Sequence, residues 1–152
     1  KKNTPEYTCG GVYLNYVTYY TEDYVSVIVM TGSYVTSVPE TKYYGYVFDL
    51  KTGKLLSTSD IAEVRNLTVS ELEAKTKDAI DKNTKEQNNN AFTNQIEKTY
   101  TDLHNSINNQ GKAGTNVDGI IYFFDGSGNL KVLVNIRIDV QSGQYAYLLD
   151  VR

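Results

Sequence analysis

The chain has 152 residues, a length that suits one domain with a continuous core. Apolar residues make up 40% of the sequence and charged residues 22%, which is ordinary globular usage and argues against wholesale disorder. The formal charge of −3 and the scattered basic residues argue against binding to nucleic acid or a general attraction to anionic lipid.

Cysteine usage and hydropathy limit the other possibilities. Cys9 is the only cysteine, so no disulfide can form within the chain and no cysteine-based metal site exists. No apolar run approaches the roughly 18–20 residues of a membrane-spanning helix, so we expect no membrane insertion of this segment. Lys1 to Glu6 lack the apolar core of a signal peptide. If the protein is exported, we expect this chain to be the processed part.

The first third of the chain alternates side chains with a period of two or is rich in β-branched residues, which predicts strands. The three predicted strands are Gly11 to Tyr20, Tyr24 to Thr31 and Lys42 to Leu50. Thr21-Glu22-Asp23 is short and polar enough to connect the first two strands as a hairpin. Gly32 to Thr41 is predicted as a loop. Gly53, in the turn after the third strand, is predicted to adopt a positive φ.

The middle third changes to a helical period. Asp60 to Val64 is predicted to form one short turn, with that aspartate as the cap and Glu63 three residues later. A longer helix is predicted to begin after Thr68 or Ser70, because a glutamate follows each at the capping-box spacing. Its apolar stripe is thin, so we expect it to cover a sheet. A second helix is predicted from about Ala91 to Asn108, where the amphipathic pattern is cleanest.

Strands return in the last third of the chain. They are predicted at Gly119 to Asp125, Leu130 to Val140 and Gln144 to Val151, with glycine-bearing hairpin connections between them. The middle one has an apolar face and a largely polar face, as expected of an antiparallel sheet backed by helices. The order βββ-αα-βββ therefore predicts a single α+β domain over residues 1–152, with antiparallel sheet or sheets packed on two helices.

The sequence does not assemble a catalytic or metal-binding constellation. His104, the only histidine, flanks the apolar stripe of the second long helix, and we interpret it as structural or as a surface residue. Gly53-Lys54 lacks the upstream glycine and the following Ser or Thr of a phosphate loop. The segment from Asp125 departs from an EF-hand loop at Leu130 and Ile136. We predict no enzyme activity, no cofactor and no metal site.

Tyrosine occurs 14 times and tryptophan not at all. Tyrosine rings pack on half-buried strands while the hydroxyl reaches water, so sheet packing explains most of them. Tyrosine also forms adaptable binding surfaces. The candidate ligand-binding residues come from the first three strands and the loop between the second and third: Tyr13, Tyr19, Tyr20, Tyr34 and Tyr43. Exposed rings would favour binding of sugar or protein, and buried rings would favour packing.

Several segments together resemble one family of extracytoplasmic domains. They are Tyr44 to Leu50 followed by Lys51-Thr52-Gly53-Lys54, the helix start Ser59-Asp60-Ile61, Tyr122-Phe123-Phe124 with a glycine turn, and Gly143 before the last strand. Over about residues 24 to 151 the chain resembles the domain of unknown function at the C-terminal end of lysozyme-responsive anti-sigma factors of the RsiV type and of some peptidoglycan deacetylases of the PdaC type. Members often carry a Gly-Gly-Ala-His type segment between the second and third strands. Residues Gly32 to Pro39 have no histidine, so no role of that segment is carried over.

The resemblance implies a non-catalytic α+β domain outside the membrane, on the cell surface or secreted, that contacts a lysozyme-like protein or peptidoglycan. The catalytic metal site of the deacetylases belongs to another of their domains, and nothing in this sequence matches it. A charge of −3 agrees in sign with a basic lysozyme-like partner. Two alternatives stay open: an accessory or structural domain of a larger cell-wall-active enzyme, and a cell-wall hydrolase whose carboxylates converge in a pocket.

Overall fold

The computed structural model describes residues 11–33, 40–86, 120–139 and 143–152. The strands and helices within them are β1 Val12–Tyr20, β2 Tyr24–Ser33, β3 Glu40–Asp49, α1 Thr58–Val64, α2 Val69–Glu86, β4 Ile120–Phe124, β5 Leu130–Asp139 and β6 Gly143–Asp150. The α+β class is confirmed, and strands precede and follow the helices along the chain in the predicted order. The second long helix predicted from Ala91 to Asn108 lies outside the described residues.

The first sheet is an antiparallel meander of β1, β2 and β3. A tight turn joins β1 to β2, in which the backbone N–H of Thr21 donates to the carbonyl of Tyr24 at 2.9 Å. The loop predicted from Gly32 to Thr41 includes residues at both ends that belong to strands β2 and β3. The β2–β3 ladder continues through the pairs Gly32–Thr41 and Ser33–Glu40, so these residues satisfy their backbone groups in the sheet.

The second sheet is formed by β4, β5 and β6 and is also antiparallel. The predicted hairpin turn between β4 and β5 is confirmed. The carboxylate of Asp125 accepts hydrogen bonds from the backbone N–H groups of Ser127 and Asn129, each at 2.9 Å. Such a local carboxylate-to-backbone pattern is typical of aspartate in turns. In the turn after β3, Gly53 has the positive φ that the sequence predicts, 71°.

Both helices begin with a capping box. The prediction that Asp60 caps α1 is wrong, because the N-cap is Ser57 and Asp60 is its partner three residues later. The Ser57 hydroxyl accepts from the Asp60 N–H, and the Asp60 carboxylate accepts from the Ser57 N–H at 2.8 Å. The prediction of Thr68 before α2 is confirmed by the same reciprocal bonds with Glu71, at 3.2 and 2.8 Å.

Strand β4 lies between the first sheet and helix α2, and all of its residues are buried. Towards the first sheet, Ile121 packs so closely on β3 that a Cβ added to Gly45 would lie 2.0 Å from its Cγ2 atom. Towards α2, the hydroxyl groups of Tyr122 and Thr76 share a buried hydrogen bond of 2.8 Å. Burial of the Tyr122 hydroxyl raises its pKa well above the ordinary value. The core of the described residues is therefore built around β4.

Candidate functional site

The contact with β4 gives the first sheet two different faces. Side chains alternate along a strand, so the residues that contact β4 define an inner face. Ile28 and Val47 are buried on this face, and the Ser26 hydroxyl accepts a hydrogen bond from the backbone N–H of Phe124 at 3.0 Å. We call the opposite set the outer face: Val12, Leu14, Tyr16, Thr18, Tyr20, Val25, Val27, Val29, Thr31, Ser33, Lys42, Tyr44, Tyr46 and Phe48.

Tyr13, one of the predicted binding residues, lies on the inner-face side and connects all three strands. It pairs with Gly32, where an added Cβ would lie 2.2 Å from its ring. Its hydroxyl shares a hydrogen bond of 2.9 Å with the hydroxyl of Thr41 on β3. An aromatic ring laid across a glycine in this way supports the pairing of the strands. The packing interpretation of this tyrosine therefore has direct structural support.

The other predicted tyrosines divide between the two faces. Tyr19 is half-buried on the inner face, with its ring stacked on Phe123 at a centroid distance of 5.2 Å. Tyr43 packs against the core, and burial together with nearby Tyr13 raises the pKa of its hydroxyl. Tyr20 lies on the outer face and is exposed. Tyr34 lies outside the described residues. The described members of the predicted set are thus not brought together on one surface.

The outer face instead carries a different aromatic set. The strand register aligns three neighbouring rows, which are Tyr16–Val29–Tyr44, Thr18–Val27–Tyr46 and Tyr20–Val25–Phe48. No residue in these rows is charged. Tyr16, Tyr44 and Tyr46 are not among the binding residues predicted from the sequence. Their spacing of two residues does place Tyr44, Tyr46 and Phe48 on one side of β3, and this spacing could have indicated the aromatic set.

Exposure on the outer face is greatest along β1. Val12 is 80% exposed, Leu14 67%, Tyr16 69% and Tyr20 64%, whereas the outer valines of β2 are half-buried. Three strands of about 30 Å in length and about 4.8 Å apart give a footprint on the order of 400 Å². This footprint includes the polar side chains of the outer face, so its apolar part is smaller. The largest apolar patch on a typical monomer measures about 300–600 Å², and such patches often bind a partner.

A groove lies between α2 and β6. It has a volume of about 360 Å³ and is lined by charged side chains of both signs, including Lys75, Asp78 and Lys82, next to Leu149. The Nζ of Lys75 donates a hydrogen bond of 2.8 Å to the backbone carbonyl of Arg152 at its rim. The charges of both signs in its lining do not point to one class of ligand. The outer face is the more informative candidate site.

The described ranges contain neither a metal-binding cluster nor a helix that could span a membrane. There, His, Cys, Asp and Glu side chains form no group of three that could hold a metal ion. Cys9 and His104 lie outside those ranges. Neither described helix combines the length and the apolar character that spanning a membrane requires.

No family model, curated protein or solved structure matches this chain. The resemblance to the domain of the anti-sigma factors and deacetylases accordingly stays a prediction that rests on the quoted sequence segments.

Proposed function

We propose that this chain is a non-catalytic binding or sensing module of a bacterial surface protein, and that it acts outside the cytoplasm by holding a ligand on its outer face. The observation that supports the proposal is the exposed apolar side of β1 beside the aromatic column Tyr44, Tyr46 and Phe48. Such a surface contributes little to the stability of the chain itself. A ligand that covers it would gain the burial energy instead.

The magnitude of that gain is useful for a binding site. Fully burying a side chain such as Val, Leu or Phe stabilises by about 1.5–3 kcal/mol, so covering Val12, Leu14, Tyr16 and Tyr20 would provide several kcal/mol before the cost of association. The rows Tyr16–Val29–Tyr44 to Tyr20–Val25–Phe48 carry no formal charge, so this gain does not depend on ion pairs. We therefore expect this part of the affinity to change little with salt concentration, whereas the attraction of the −3 chain to a basic partner would weaken.

Two ligand classes follow from the resemblance described above. Peptidoglycan would stack its sugar rings on the tyrosine faces, and a lysozyme-like protein would cover the tyrosines and the aliphatic side chains Val12 and Leu14 together. Both use the same face, so one set of variants tests both.

The experiment measures binding of the purified chain to hen-type lysozyme by calorimetry and to purified peptidoglycan by pull-down. The double variant Tyr16→Ser/Tyr20→Ser removes two exposed rings of the outer face, and we expect at least about a tenfold loss of affinity, or about 1.4 kcal/mol. Leu148→Ser is the matched control, since Leu148 is an exposed apolar residue on the second sheet. We expect this control to bind as the wild type does.

Each outcome has a distinct meaning. Binding to lysozyme alone supports a sensor, and retention on peptidoglycan alone supports a wall-binding module. If the double variant binds as well as the wild type, the outer face is not the ligand site. If neither ligand binds, both ligand proposals fail. An accessory or structural domain of a larger cell-wall-active enzyme is then the better proposal.

A further inference from the structure

The outer edge of β1 differs from the other edge of the first sheet. At the edge formed by β3, the backbone N–H of Asp49 donates to the carbonyl of Lys54 at 2.9 Å, and the N–H of Leu56 donates to the carbonyl of Val47 at 2.7 Å. The segment from Lys54 to Leu56 therefore covers this part of the edge. Within the described ranges, β1 has β2 as its one strand neighbour.

The hydrogen-bonding pattern shows which backbone groups of β1 face outwards. The Thr21 N–H donates to the Tyr24 carbonyl, so this pair is hydrogen-bonded, and pairs alternate along an antiparallel ladder. The residues of β1 whose N–H and C=O groups point away from β2 are therefore Val12, Leu14, Tyr16, Thr18 and Tyr20. The Leu50 N–H donates to the Asp23 carbonyl, so the same alternation applies to β3. The N–H and C=O groups of Val47 and Asp49 therefore point away from β2. The segment from Lys54 to Leu56 is hydrogen-bonded to these same two residues, which supports this assignment of the outward-pointing groups.

Strand β1 also lacks the features with which proteins block an open edge. Short length, charged side chains and proline discourage the pairing of edge strands. The segment Val12–Tyr20 is nine residues long and contains no charged residue and no proline, whereas β3 carries Glu40 and Lys42. Among the described residues, the edge without a covering segment is thus also the edge without charges or proline.

The exposure gradient across the sheet indicates what would cover this edge. Outer-face side chains of β1 are mostly exposed, and those of β2, which has a strand on both sides, are half-buried. One more strand beside β1 would bring its side chains to the level of β2. An added strand would therefore remove the excess exposure of Val12, Leu14, Tyr16 and Tyr20 over their neighbours on β2, and the face above them would stay open to a ligand.

We propose that the edge of β1 pairs with the β1 edge of a second copy of this chain, in antiparallel orientation about a two-fold axis at Tyr16. This axis places Val12 opposite Tyr20 of the second copy, Leu14 opposite its Thr18, and the two Tyr16 residues opposite each other. Aromatic pairs and aromatic–β-branched pairs of this kind are favourable across strands. The strand is uncharged, so the charge of −3 on each copy adds no close repulsion between the paired residues.

The size of the contact predicts a weak dimer. A paired edge about 30 Å long and about 10 Å deep buries on the order of 300 Å² per copy, well below the roughly 800 Å² of a standard stable interface. We therefore expect a reversible dimer with a micromolar dissociation constant. The outer face stays open in this dimer and becomes continuous over six strands, so the inference does not depend on the proposed ligand.

The test is sedimentation velocity of the whole chain without ligand, from about 5 to about 500 µM, a range that brackets a micromolar dissociation constant. We expect the wild type to convert from monomer to dimer within it. The variants Leu14→Lys/Thr18→Lys and Leu14→Glu/Thr18→Glu place like charges opposite each other in the antiparallel register, so each alone should remain monomeric. An equimolar mixture should form a heterodimer, because each lysine then faces a glutamate. Circular dichroism verifies that both variants fold.

The control is Leu148→Lys, which replaces an exposed leucine with lysine on β6 and should dimerise as the wild type does. A wild type that stays monomeric over the whole range overturns the proposal, and so does a mixture of the charged variants that fails to associate. A synthetic peptide with the sequence Val12–Tyr20 that binds a monomeric wild type would assign this edge to extended peptides and would also overturn the dimer.

Discussion

Position 45 requires a glycine because the side chain of Ile121 occupies the space that a Cβ would take. The separation of 2.0 Å between that Cβ and the Ile121 Cγ2 is far below van der Waals contact, and Ile121 is itself fully buried. Gly45→Ala must therefore push β4 away from the first sheet. Overpacking of this kind costs about 1–3 kcal/mol, and we expect a fall of several degrees in the melting temperature.

A matched control for this substitution exists in the turn after β4. At Gly126 the nearest atom to an added Cβ is the carbonyl oxygen of Tyr20, at 4.0 Å. Gly126→Ala should change stability by less than about 0.5 kcal/mol, as exposed substitutions usually do. Equal melting temperatures for the two variants would show that β4 is not held against Gly45.

The capping box of α1 makes part of the stability depend on pH. The Nζ of Lys54 donates to the Asp60 carboxylate at 2.7 Å, and this bond, followed by those from Ser57, lowers the pKa of Asp60 to about 2. The pKa in the folded state is below the unfolded value of about 3.9. The contribution of Asp60 is therefore complete above about pH 4 and is lost as the pH falls towards 2.

Asp60→Asn measures this contribution. At neutral pH the variant should lose about 1 kcal/mol of stability, because the bonds that the charged carboxylate accepts from Lys54 and Ser57 become weaker neutral ones. The difference in melting temperature between wild type and variant should shrink as the pH is lowered from about 4 to about 2, because the wild-type carboxylate becomes protonated. A difference that stays constant from pH 7 down to about pH 2 would contradict the role of the charged carboxylate.

The strands were predictable from the sequence because apolar and polar side chains alternate along them. This alternation is a local property that follows from burial of one face of each strand. The predicted strands match β1, β2, β3, β4, β5 and β6 apart from one or two residues at most of their ends. The larger difference, at Gly32 and Thr41, arises from contacts distant in sequence. Small and polar residues read as a loop, but the ring of Tyr13 covers Gly32 and its hydroxyl bonds to Thr41. Sequence spacing does not reveal such a contact.

The candidate site was less predictable than the strands for a related reason. Alternation shows that Tyr16 and Tyr20 share one side of β1 and that Tyr13 and Tyr19 share the other. It does not show which side packs on the rest of the protein. That choice is made by β4, about a hundred residues later in the chain, through contacts such as the stacking of Phe123 on Tyr19. Alternation alone therefore does not determine which tyrosines lie on the outer face.

Across the whole molecule, β4 connects parts of the chain that are far apart in sequence. It is paired with β5 and contacts α2 through Tyr122. It contacts the first sheet through Ile121 and through the hydrogen bond from its Phe124 N–H to Ser26. No other described strand has both faces covered in this way along its full length. We infer that the two sheets unfold together as one domain, as the sequence analysis predicts for residues 1–152.

Hydrogen exchange of the variant Ser26→Ala tests this cooperativity. The substitution leaves the buried N–H of Phe124 without its acceptor, which costs about 1–3 kcal/mol. If the two sheets form one unit, the slowest amides of both should lose protection by the same factor, between about 5-fold and about 150-fold. Ile28 in β2 and Val132 in β5 are suitable reporters because each is buried in a central strand. Ser70→Ala, on the exposed side of α2, is the control and should leave both amides unchanged. If Ile28 loses protection while Val132 keeps it, the sheets are separate units that fold independently, and the single-domain prediction is wrong.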